Sequence, residues 1–407
     1  MQDKGQQIAM RFRQDMHSTV HFPDDNAPER AQRAARAVRL LLDGLRNGAS
    51  IRARQVAGDP IEVWQAEDGQ QVLQCQSSGS SGAPKTIQRR PDSWIASFEI
   101  TRREFGAGKD TPYAVLGDPG HSLVLFAIME AFHLGADLSV LTGLSPRAQL
   151  QGLARDGVQV LYATPAQLRL LLKAHPEPLP EMRLVFSGGG KLDADTASAL
   201  STLFPNAELH EFFGASETSF MSIAPVGAPI ASVGRAYPGV EIALRDANGQ
   251  PVGQGPGELW VKSPYLFDRY VEGDSPETRW QDGFLTVGEM ARLDADGFLY
   301  LLGRTSRMVT VADQNVFPEA VEAEIAKLSA ARAAVVPVPD DARGQVLVAV
   351  VEGAECDDTV RSIKDRCRDM LGAPSMPRQV LFVDALPMLP AGKPDLKALE
   401  QLARGQV

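Results

Sequence analysis

Short apolar runs alternate with helix-like segments between about residues 70 and 225, and this alternation constrains the fold more than any other feature of the chain. The apolar runs have the length of buried strands and read YAVLG (113–117), DLSVL (137–141), VQVLYA (158–163) and MRLVFSGGG (182–190). The segments between them have helical periodicity and read SLVLFAIMEAFHLG, PRAQLQGLARDG, PAQLRLLLKAH and DADTASALSTLF. Strands that alternate with helices in this way predict parallel βαβ units. We therefore expect an α/β fold with parallel βαβ layers.

The pattern changes after about residue 225, where GVEIALRDANGQPV, GELWVKSP and DGFLYLLG read as short strands joined by glycine-containing turns. Such a texture predicts a small antiparallel β subdomain. Beyond LGRTSRM the order is helix, strand, strand, helix, strand, which predicts a compact, mobile C-terminal α+β domain. We place the domains at 1–303 and 304–407. Upstream, NAPERAQRAARAVRLLLDGLRNG predicts a packing helix that Asn26 caps and Gly48 ends.

Charge and composition exclude several classes of function. The 407 residues carry a net charge of −10, with a pI of about 5.2, so we expect no large basic surface for nucleic acid. The most apolar run is interrupted by Asp118, Pro119, Gly120 and His121, so we expect no membrane span and no membrane partner. We also expect no secretory signal. The three cysteines are too scattered for disulfides or zinc, and the six histidines include no H-E-x-x-H motif. These features favour a cytoplasmic protein.

The stretch SSGSSGAPK (77–85) is unsuited to a regular helix or strand but well suited to surrounding an anion. Its glycines free the backbone N–H groups, its serines add hydroxyl donors, and Lys85 adds a positive charge. It is not a Walker A loop, because Ala83 and Pro84 separate Gly82 from Lys85. A flexible Ser/Gly linker is the alternative, and the stretch alone does not decide between the two.

Further motifs follow in order: FSGGGKL (186–192), FFGASE (212–217), VGEMARLDADGFLYLLGR (287–304) and LPAGKPD (389–395). Together with SSGSSGAPK, this order and spacing resemble the adenylate-forming (AMP-binding) superfamily. Its members include acyl- and aryl-CoA synthetases, peptide-synthetase adenylation domains and luciferases. The resemblance runs from about residue 70 to the C-terminus.

The resemblance implies ATP, Mg²⁺ and either CoA or phosphopantetheine as cofactors, and it implies roles for individual residues. Adenylation joins a carboxylate to the α-phosphate, so cations and fixed donors must stabilise the charge that builds there. Lys393 would bridge the carboxylate and the α-phosphate, Ser216 would contact the α-phosphate, and Glu217 would hold Mg²⁺. The residues implied to wrap the β- and γ-phosphates are Ser77, Ser78, Gly79, Ser80, Ser81, Gly82 and Lys85. Those implied to contact the nucleoside and acyl groups are His121, Gly188, Gly189, Gly190, Phe213, Gly214, Glu289 and Arg304, the last two at the ribose hydroxyls. For each of these residues the alternative interpretation is an ordinary structural role or a solvated position on the surface.

The sequence departs from the family pattern at several places. Phe213 replaces a tyrosine, Glu289 replaces an aspartate, and Arg307 replaces the usual Asp or Lys of the hinge. Asp313 stands where small residues normally line the thiol path. The chain also reads as short in front of the phosphate loop, so we expect the N-terminal region to be truncated or rebuilt.

The leading hypothesis is an acid–thiol ligase (AMP-forming), similar to an acyl- or aryl-CoA synthetase. It would activate a small carboxylic acid as an acyl-adenylate and then transfer the acyl group to CoA or to the phosphopantetheine of an acyl-carrier protein. Rotation of the C-terminal domain about residues 303–308 would separate the two steps. A degenerate nucleotide-binding or scaffold homologue is the alternative, which Glu289 and Asp313 favour; a P-loop NTPase is disfavoured. We favour a small aryl or a short- to medium-chain acid.

Overall fold

The computed structural model describes residues 12, 18–54, 58–67, 69–77, 85–174, 177–225, 227–229, 231–312, 314–328, 331–340, 343–388 and 394–405, with the backbone alone described for Ser77. Several residues for which the sequence predicts a role fall elsewhere in the chain. The phosphate-loop residues Ser78, Gly79, Ser80, Ser81 and Gly82 lie outside the described residues, as do Asp313 and Lys393.

The helices of the described residues begin and end close to the predicted bounds. They are α1 (Glu29–Arg46), α2 (Pro91–Glu104), α3 (Ser122–Leu134), α4 (Pro146–Arg155), α5 (Pro165–Lys173), α6 (Ala194–Leu203), α7 (Pro318–Ala326), α8 (Asp357–Leu371) and α9 (Leu396–Arg404). Polar side chains cap several N-termini; Thr164 and Gln167 form a reciprocal capping box on α5. The predicted cap of α1 is wrong, because Pro28 directly precedes Glu29 and Asn26 lies farther upstream. Gly48 lies just beyond this helix with φ +66°, where glycine is favoured.

The strands of the described residues fall into separate sheets. They are β1 (Val20–His21), β2 (Ser50–Ala53), β3 (Ile61–Trp64), β4 (Leu73–Ser77), β5 (Lys85–Arg89), β6 (Tyr113–Val115), β7 (Leu138–Val140), β8 (Val160–Ala163), β9 (Leu184–Ser187), β10 (Glu208–Ala215), β11 (Ser219–Ala224), β12 (Arg235–Ala236), β13 (Glu241–Arg245), β14 (Gly257–Lys262), β15 (Arg269–Glu272), β16 (Arg279–Gln281), β17 (Phe284–Leu293), β18 (Leu299–Arg304), β19 (Val309–Val311), β20 (Gln314–Val316), β21 (Ala333–Asp340), β22 (Gly344–Glu352) and β23 (Gln379–Val383).

The main sheet has the order β1-β7-β6-β8-β9-β10-β11-β12. In this sheet β1, β7, β6, β8, β9 and β10 are parallel to one another. Strands β11 and β12 then extend the sheet with antiparallel pairing. Apolar residues of α2 and α3 pack in the larger core on one side, and those of α4, α5 and α6 pack in a second core. The predicted α/β fold with parallel βαβ layers is therefore confirmed, and its parallel strands end on one edge where ligands bind in such sheets.

Two further sheets flank this edge. The first has the order β15-β5-β4-β2-β3, and the second joins β13, β14, β17 and β16, with β18 paired to β17. The second corresponds to the predicted antiparallel subdomain. Sequence patterning did not predict α2, β2 or β3. The β4–β5 hairpin pairs Ser77 with Lys85, so its strands bracket the phosphate-loop segment.

The C-terminal part of the chain forms a sheet of its own, with β22 between an antiparallel β21 and a parallel β23. Apolar side chains of α7 and α8 pack in one core with this sheet, and those of α9 pack in another. The predicted order of helix, strand, strand, helix and strand is present, and the β19–β20 hairpin and α9 are additional. The division at residue 304 stays a prediction.

Candidate active site

A cavity of about 830 Å³ opens at the carboxyl edge of the main sheet. Its wall includes the residues that follow parallel strands: Gly117 after β6, Thr164 after β8, Gly188 after β9 and Ser216 after β10. Parallel strands end together, so segments far apart in the chain meet here. This edge is where the sequence predicted a ligand.

Most of the predicted site residues within the described chain line this one cavity. They are Lys85, His121, Gly188, Gly189, Gly190, Phe213, Gly214, Ser216, Glu217 and Arg304. Glu289 stands beside the cavity as the ion-pair partner of Arg304. The arrangement is consistent with the predicted roles, which remain proposals.

Two of the glycines are required by the protein's own packing. A Cβ at Gly188 would lie 2.1 Å from the ring of Phe212, and a Cβ at Gly214 would lie 1.9 Å from the carbonyl oxygen of Ser219. At Gly190 the nearest atom to such a Cβ would be a Pro165 carbon at 3.8 Å, an ordinary contact distance. Gly190 therefore presents open backbone to the cavity, whereas Gly188 and Gly214 shape its wall.

Glu217 lies in a tight turn between β10 and β11 and is 9% exposed. The turn closes on itself, since the Ala215 N–H donates to Thr218 Oγ1 at 3.0 Å and the Thr218 N–H donates to the Ala215 carbonyl at 3.2 Å. Tyr270 donates its hydroxyl hydrogen to Glu217 Oε1 at 2.8 Å. The carboxylate is thus held at the cavity wall, and its hard oxygen atoms suit Mg²⁺.

Lys85 is 7% exposed, and its Nζ lies 5.8 Å from the centre of the Tyr270 ring. Strand alternation places Lys85 and Arg89 on the same face of β5. Arg89 is a buried cation behind the cavity wall, and burial lowers its pKa while nearby charged groups oppose that shift. Arg89 and Tyr270 are site residues that sequence reasoning missed; the same-face spacing on β5 was the available signal for Arg89.

Glu289 and Arg304 are opposite each other in the β17–β18 register, with Oε1 and Nε 3.0 Å apart. Burial raises the pKa of Glu289, and the charge of Arg304 opposes the rise. The Arg304 backbone N–H donates to Glu319 Oε1 at 3.3 Å, which joins this pair to α7. The substituted hinge residue Arg307 also faces α7, with Nη2 2.7 Å from Glu322 Oε1.

His121 directly precedes α3, and its backbone N–H donates to the Asp118 carbonyl at 3.0 Å. Asp118 in turn pairs with Arg33 at 3.0 Å. A Cβ at Gly120 would lie 2.2 Å from the Arg54 carbonyl oxygen, so close backbone packing requires glycine there. The loop before α3 is thereby held in place and presents His121 to the cavity.

In the described part of the chain, no three His, Cys, Asp or Glu side chains are grouped as a metal site. Within the same residues, no helix has both the length and the apolar character for crossing a bilayer.

Comparison with known proteins points to one family. The model described as AMP-binding enzyme matches residues 13–271, and the model described as AMP-binding enzyme C-terminal domain matches residues 320–393. The uncharacterized acyl-CoA ligase YhfT of Bacillus subtilis (strain 168) is 32% identical over 322 residues, which cover 78% of this chain and 65% of that protein.

Two other similar proteins differ in their named activities. The salicyl-AMP ligase / salicyl-S-ArCP synthetase of Mycobacterium tuberculosis is 28% identical over 366 residues, which cover 86% of this chain and 64% of that protein. The structure of the amide bond synthetase McbA from Marinactinospora thermotolerans matches with a TM-score of 0.70 at 26% identity, covering 86% of this chain and 72% of that one. The chain spans just under two thirds of the length of the curated relatives YhfT and the salicyl-AMP ligase.

Proposed function

The chain belongs to the AMP-binding enzyme family, the adenylate-forming superfamily, and on that premise we propose that it activates a carboxylic acid with ATP. In the first step a carboxylate oxygen bonds to the α-phosphorus of ATP, and the bond from that phosphorus to pyrophosphate breaks. In the second step an acceptor attacks the acyl carbonyl carbon and AMP leaves. The observation that carries the proposal is the gathering of Lys85, Ser216, Glu217 and Arg304 around one cavity at the carboxyl edge of the main sheet.

The proposed roles follow from the charge that the reaction must stabilise. Lys85 and the segment 77–82 bind the β- and γ-phosphates, Ser216 contacts the α-phosphate, and Arg304 with Glu289 holds the ribose hydroxyls. Phe213 and the glycines of 188–190 border the adenine. Lys393, delivered by rotation of the C-terminal domain, bridges the carboxylate and the α-phosphate.

Glu217 is the proposed protein ligand for Mg²⁺. Its carboxylate lines the cavity, and the Tyr270 hydroxyl fixes one of its oxygens, which leaves the group oriented for a hard cation. When bound, Mg²⁺ supplies neutralisation of phosphate charge. The protein's part is to hold Glu217 in place and to exclude water around it.

The acid is proposed to be a small aryl or a short- to medium-chain carboxylic acid. Trp94, Phe126, Phe212 and Phe220 form part of the cavity wall. Their rings meet edge to face, with centroids 5.3 Å apart for Trp94 and Phe126 and 5.1 Å apart for Phe126 and Phe220. Interlocked rings of this kind favour flat or short apolar groups and give little room for repacking around a long chain. The name of the salicyl-AMP ligase relative also supports an aryl acid.

The acceptor is proposed to be the thiol of CoA or of a carrier-protein phosphopantetheine, whose proton passes to solvent as the thioester forms. The named activities of the acyl-CoA ligase and the salicyl-S-ArCP synthetase support a thiol. An amine is the alternative acceptor to be tested beside the thiol, because a structural neighbour is named an amide bond synthetase.

Carboxylate-dependent exchange of labelled pyrophosphate into ATP tests the first step. The full chain is incubated with Mg²⁺ and a panel of aryl and alkyl acids, and positive acids are then tested with CoA, a phosphopantetheinylated carrier protein or an amine. We expect exchange only when an acid is present, and its loss in Lys85→Ala. ATP hydrolysis without any acid would indicate an NTPase instead.

A degenerate nucleotide-binding homologue remains the second candidate, and one observation favours it. Arg304 and Glu289, the proposed ribose-binding pair, already bond to each other across 3.0 Å. If that bond is kept when nucleotide binds, the pair contributes less to ribose recognition. Such a protein would bind ATP without catalysing exchange for any acid.

A further inference from the structure

Arg89 is 1% exposed and lies behind the cavity wall, and the proposed chemistry gives it no role. It stands at the end of β5, the strand that begins with Lys85. Burying a guanidinium is unfavourable unless its hydrogen-bonding groups find partners. The partners of Arg89 therefore indicate what it is there to hold.

Those partners surround Glu217. The Nη2 group of Arg89 donates to the carbonyl oxygen of Ser216, which directly precedes Glu217. Its Nη1 group lies 2.8 Å from Ser219 Oγ and 3.0 Å from the carbonyl oxygen of Tyr265. One planar side chain thus fixes both ends of the turn that carries Glu217 and ties that turn to the strand of the anion-binding lysine.

Ser219 is itself in an unusual conformation, with φ +55°, a region that residues other than glycine rarely occupy. Its hydroxyl receives hydrogen bonds from Arg89 and from Trp94 Nε1, the latter at 3.1 Å. The guanidinium also lies over the Trp94 ring, 5.0 Å from its centre. Trp94 is one of the aromatic residues of the cavity wall, so Arg89 contacts both this wall and the turn that carries Glu217.

We propose that Arg89 is a positioning residue that holds the Ser216–Glu217 turn against the cavity, so that both side chains face the phosphates and Mg²⁺. The inference rests on the proposed function for the roles of Ser216 and Glu217. Its structural part does not, because the hydrogen bonds from Arg89 to Ser216 and Ser219 require no ligand. A lysine keeps the charge but cannot span these separate acceptors with one planar group.

The test compares Arg89→Met, Arg89→Lys and Ser219→Gly with the wild-type chain. Ser219→Gly removes the shared hydroxyl, and glycine adopts a positive φ without strain, so this variant is expected to fold even if Arg89→Met does not. The control is Arg90→Met, since Arg90 is the exposed neighbour whose partner is Asp92 at 3.2 Å. The measurements are amide hydrogen exchange across residues 212–220 and calorimetric titration with ATP, with and without Mg²⁺.

We expect both Arg89 variants to speed exchange at the Ala215 and Thr218 amides by about tenfold, since both lose hydrogen bonds from a charged group that hold this turn. We expect the Kd for ATP with Mg²⁺ to rise by about the same factor. Ser219→Gly should give a smaller change in the same segment, and Arg90→Met none. A purely structural role would lower the melting temperature without selectively exposing this turn.

Wild-type exchange at these amides in Arg89→Lys and Ser219→Gly would overturn the proposal, whether or not Arg89→Met folds. Faster exchange with an unchanged Kd for ATP would overturn the link to ligand binding. If the wild-type chain itself bound no ATP, the proposed function would fail, while the exchange data would still decide whether Arg89 positions the turn.

Discussion

Tyr270 donates its hydroxyl hydrogen to Oε1 of Glu217 across 2.8 Å, and the same hydroxyl lies 2.8 Å from Thr278 Oγ1. Burial, together with the charge of Glu217, raises the pKa of Tyr270, so the phenol stays a donor at neutral pH. Tyr270 is opposite Ile87 in the β15–β5 register, and its ring is near Lys85. The proposed metal ligand and the proposed phosphate-binding lysine are thus joined through one tyrosine.

Tyr270→Phe is expected to raise the Mg²⁺ concentration for half-maximal pyrophosphate exchange by at least about tenfold, because a hydrogen bond to a charged carboxylate contributes roughly 1.5–3 kcal/mol. The readout is the exchange rate against Mg²⁺ at saturating ATP and acid. Tyr300→Phe is the matched control, since Tyr300 donates to Asp294 at 2.9 Å away from the cavity. An unchanged Mg²⁺ dependence in Tyr270→Phe would contradict this role.

Glu289→Gln is expected to raise KM for ATP by about tenfold, because Arg304 loses the charged partner that orients it beside the cavity. Steady-state exchange against ATP concentration measures this. The comparison variant is Glu352→Gln, which removes the carboxylate that Arg332 contacts at 2.9 Å in the C-terminal sheet. If Glu289→Gln instead lowered KM, the ion pair would be an obstacle to ribose binding.

Lys393→Ala is expected to reduce adenylation by orders of magnitude while transfer from a supplied acyl-adenylate stays near wild type. The reason is that the amine stabilises charge only when the carboxylate attacks the α-phosphate. Pyrophosphate exchange and thioester formation are measured separately, with Lys397→Ala as the control from the exposed start of α9. Equal loss of both steps would argue against two separate domain orientations.

Phe126→Leu is expected to shift the acid preference toward longer alkyl chains, since Phe126 touches both Trp94 and Phe220 in the aromatic wall. The expected change is about tenfold in the ratio of kcat/KM between a medium-chain and a short-chain acid, the scale of adding a methylene or two of pocket length. Phe105→Leu, which alters a ring packed on Phe186, is the control. An unaltered ratio would show that Phe126 does not determine which acid is preferred. The proposal of adenylation itself would not be affected by that result.

Glu130 provides a test of stability against pH. It is fully buried, Tyr113 and Tyr162 donate to its Oε2 at 3.1 and 2.7 Å, and burial raises its pKa to about 7. Because the folded-state pKa is above the unfolded value, the folded state binds the proton more tightly. The contribution of Glu130 is therefore complete below about pH 4.5 and is lost as pH rises through about 7.

We expect Glu130→Gln to abolish a pH-dependent decrease of about 3 kcal/mol in the free energy of unfolding between these values. Urea unfolding at a series of pH values measures it. Glu104→Gln, at an exposed carboxylate paired with Arg103, should keep the wild-type dependence. The same pH profile in Glu130→Gln as in wild type would show that this carboxyl is not responsible.

The main sheet was predictable because its strands are buried on both faces and so appear as continuous apolar runs, as in VLYA of β8. The short strands β2 and β3 were not, since SIRA and IEVW mix polar and apolar residues. They become strands by pairing, β2 with β4 and β3 with β2. Patterning also missed α2, whose ITRRE end carries charges over a buried face. Tertiary pairing decides such segments, and local sequence does not reveal it.

Residues of the candidate site were predictable where they belong to a motif, as for Lys85, Glu217 and Arg304. Arg89, Tyr270 and Trp94 lie outside the quoted motifs and join the site through strand pairing or side-chain contacts across long sequence separations. Glu289 shows the remaining difference: its motif position was identified from sequence, but its bond to Arg304 depends on the β17–β18 register. A motif identifies the residue, and the fold supplies its partner.

The most direct test of the central claim is a crystal structure of the full chain with ATP, Mg²⁺ and an acid that supports exchange. We expect the triphosphate or its adenylate product beside Lys85, with the metal on Glu217 and the ribose at Arg304. Nucleotide density elsewhere on the protein, with the cavity at the carboxyl edge of the main sheet left to solvent, would contradict the account.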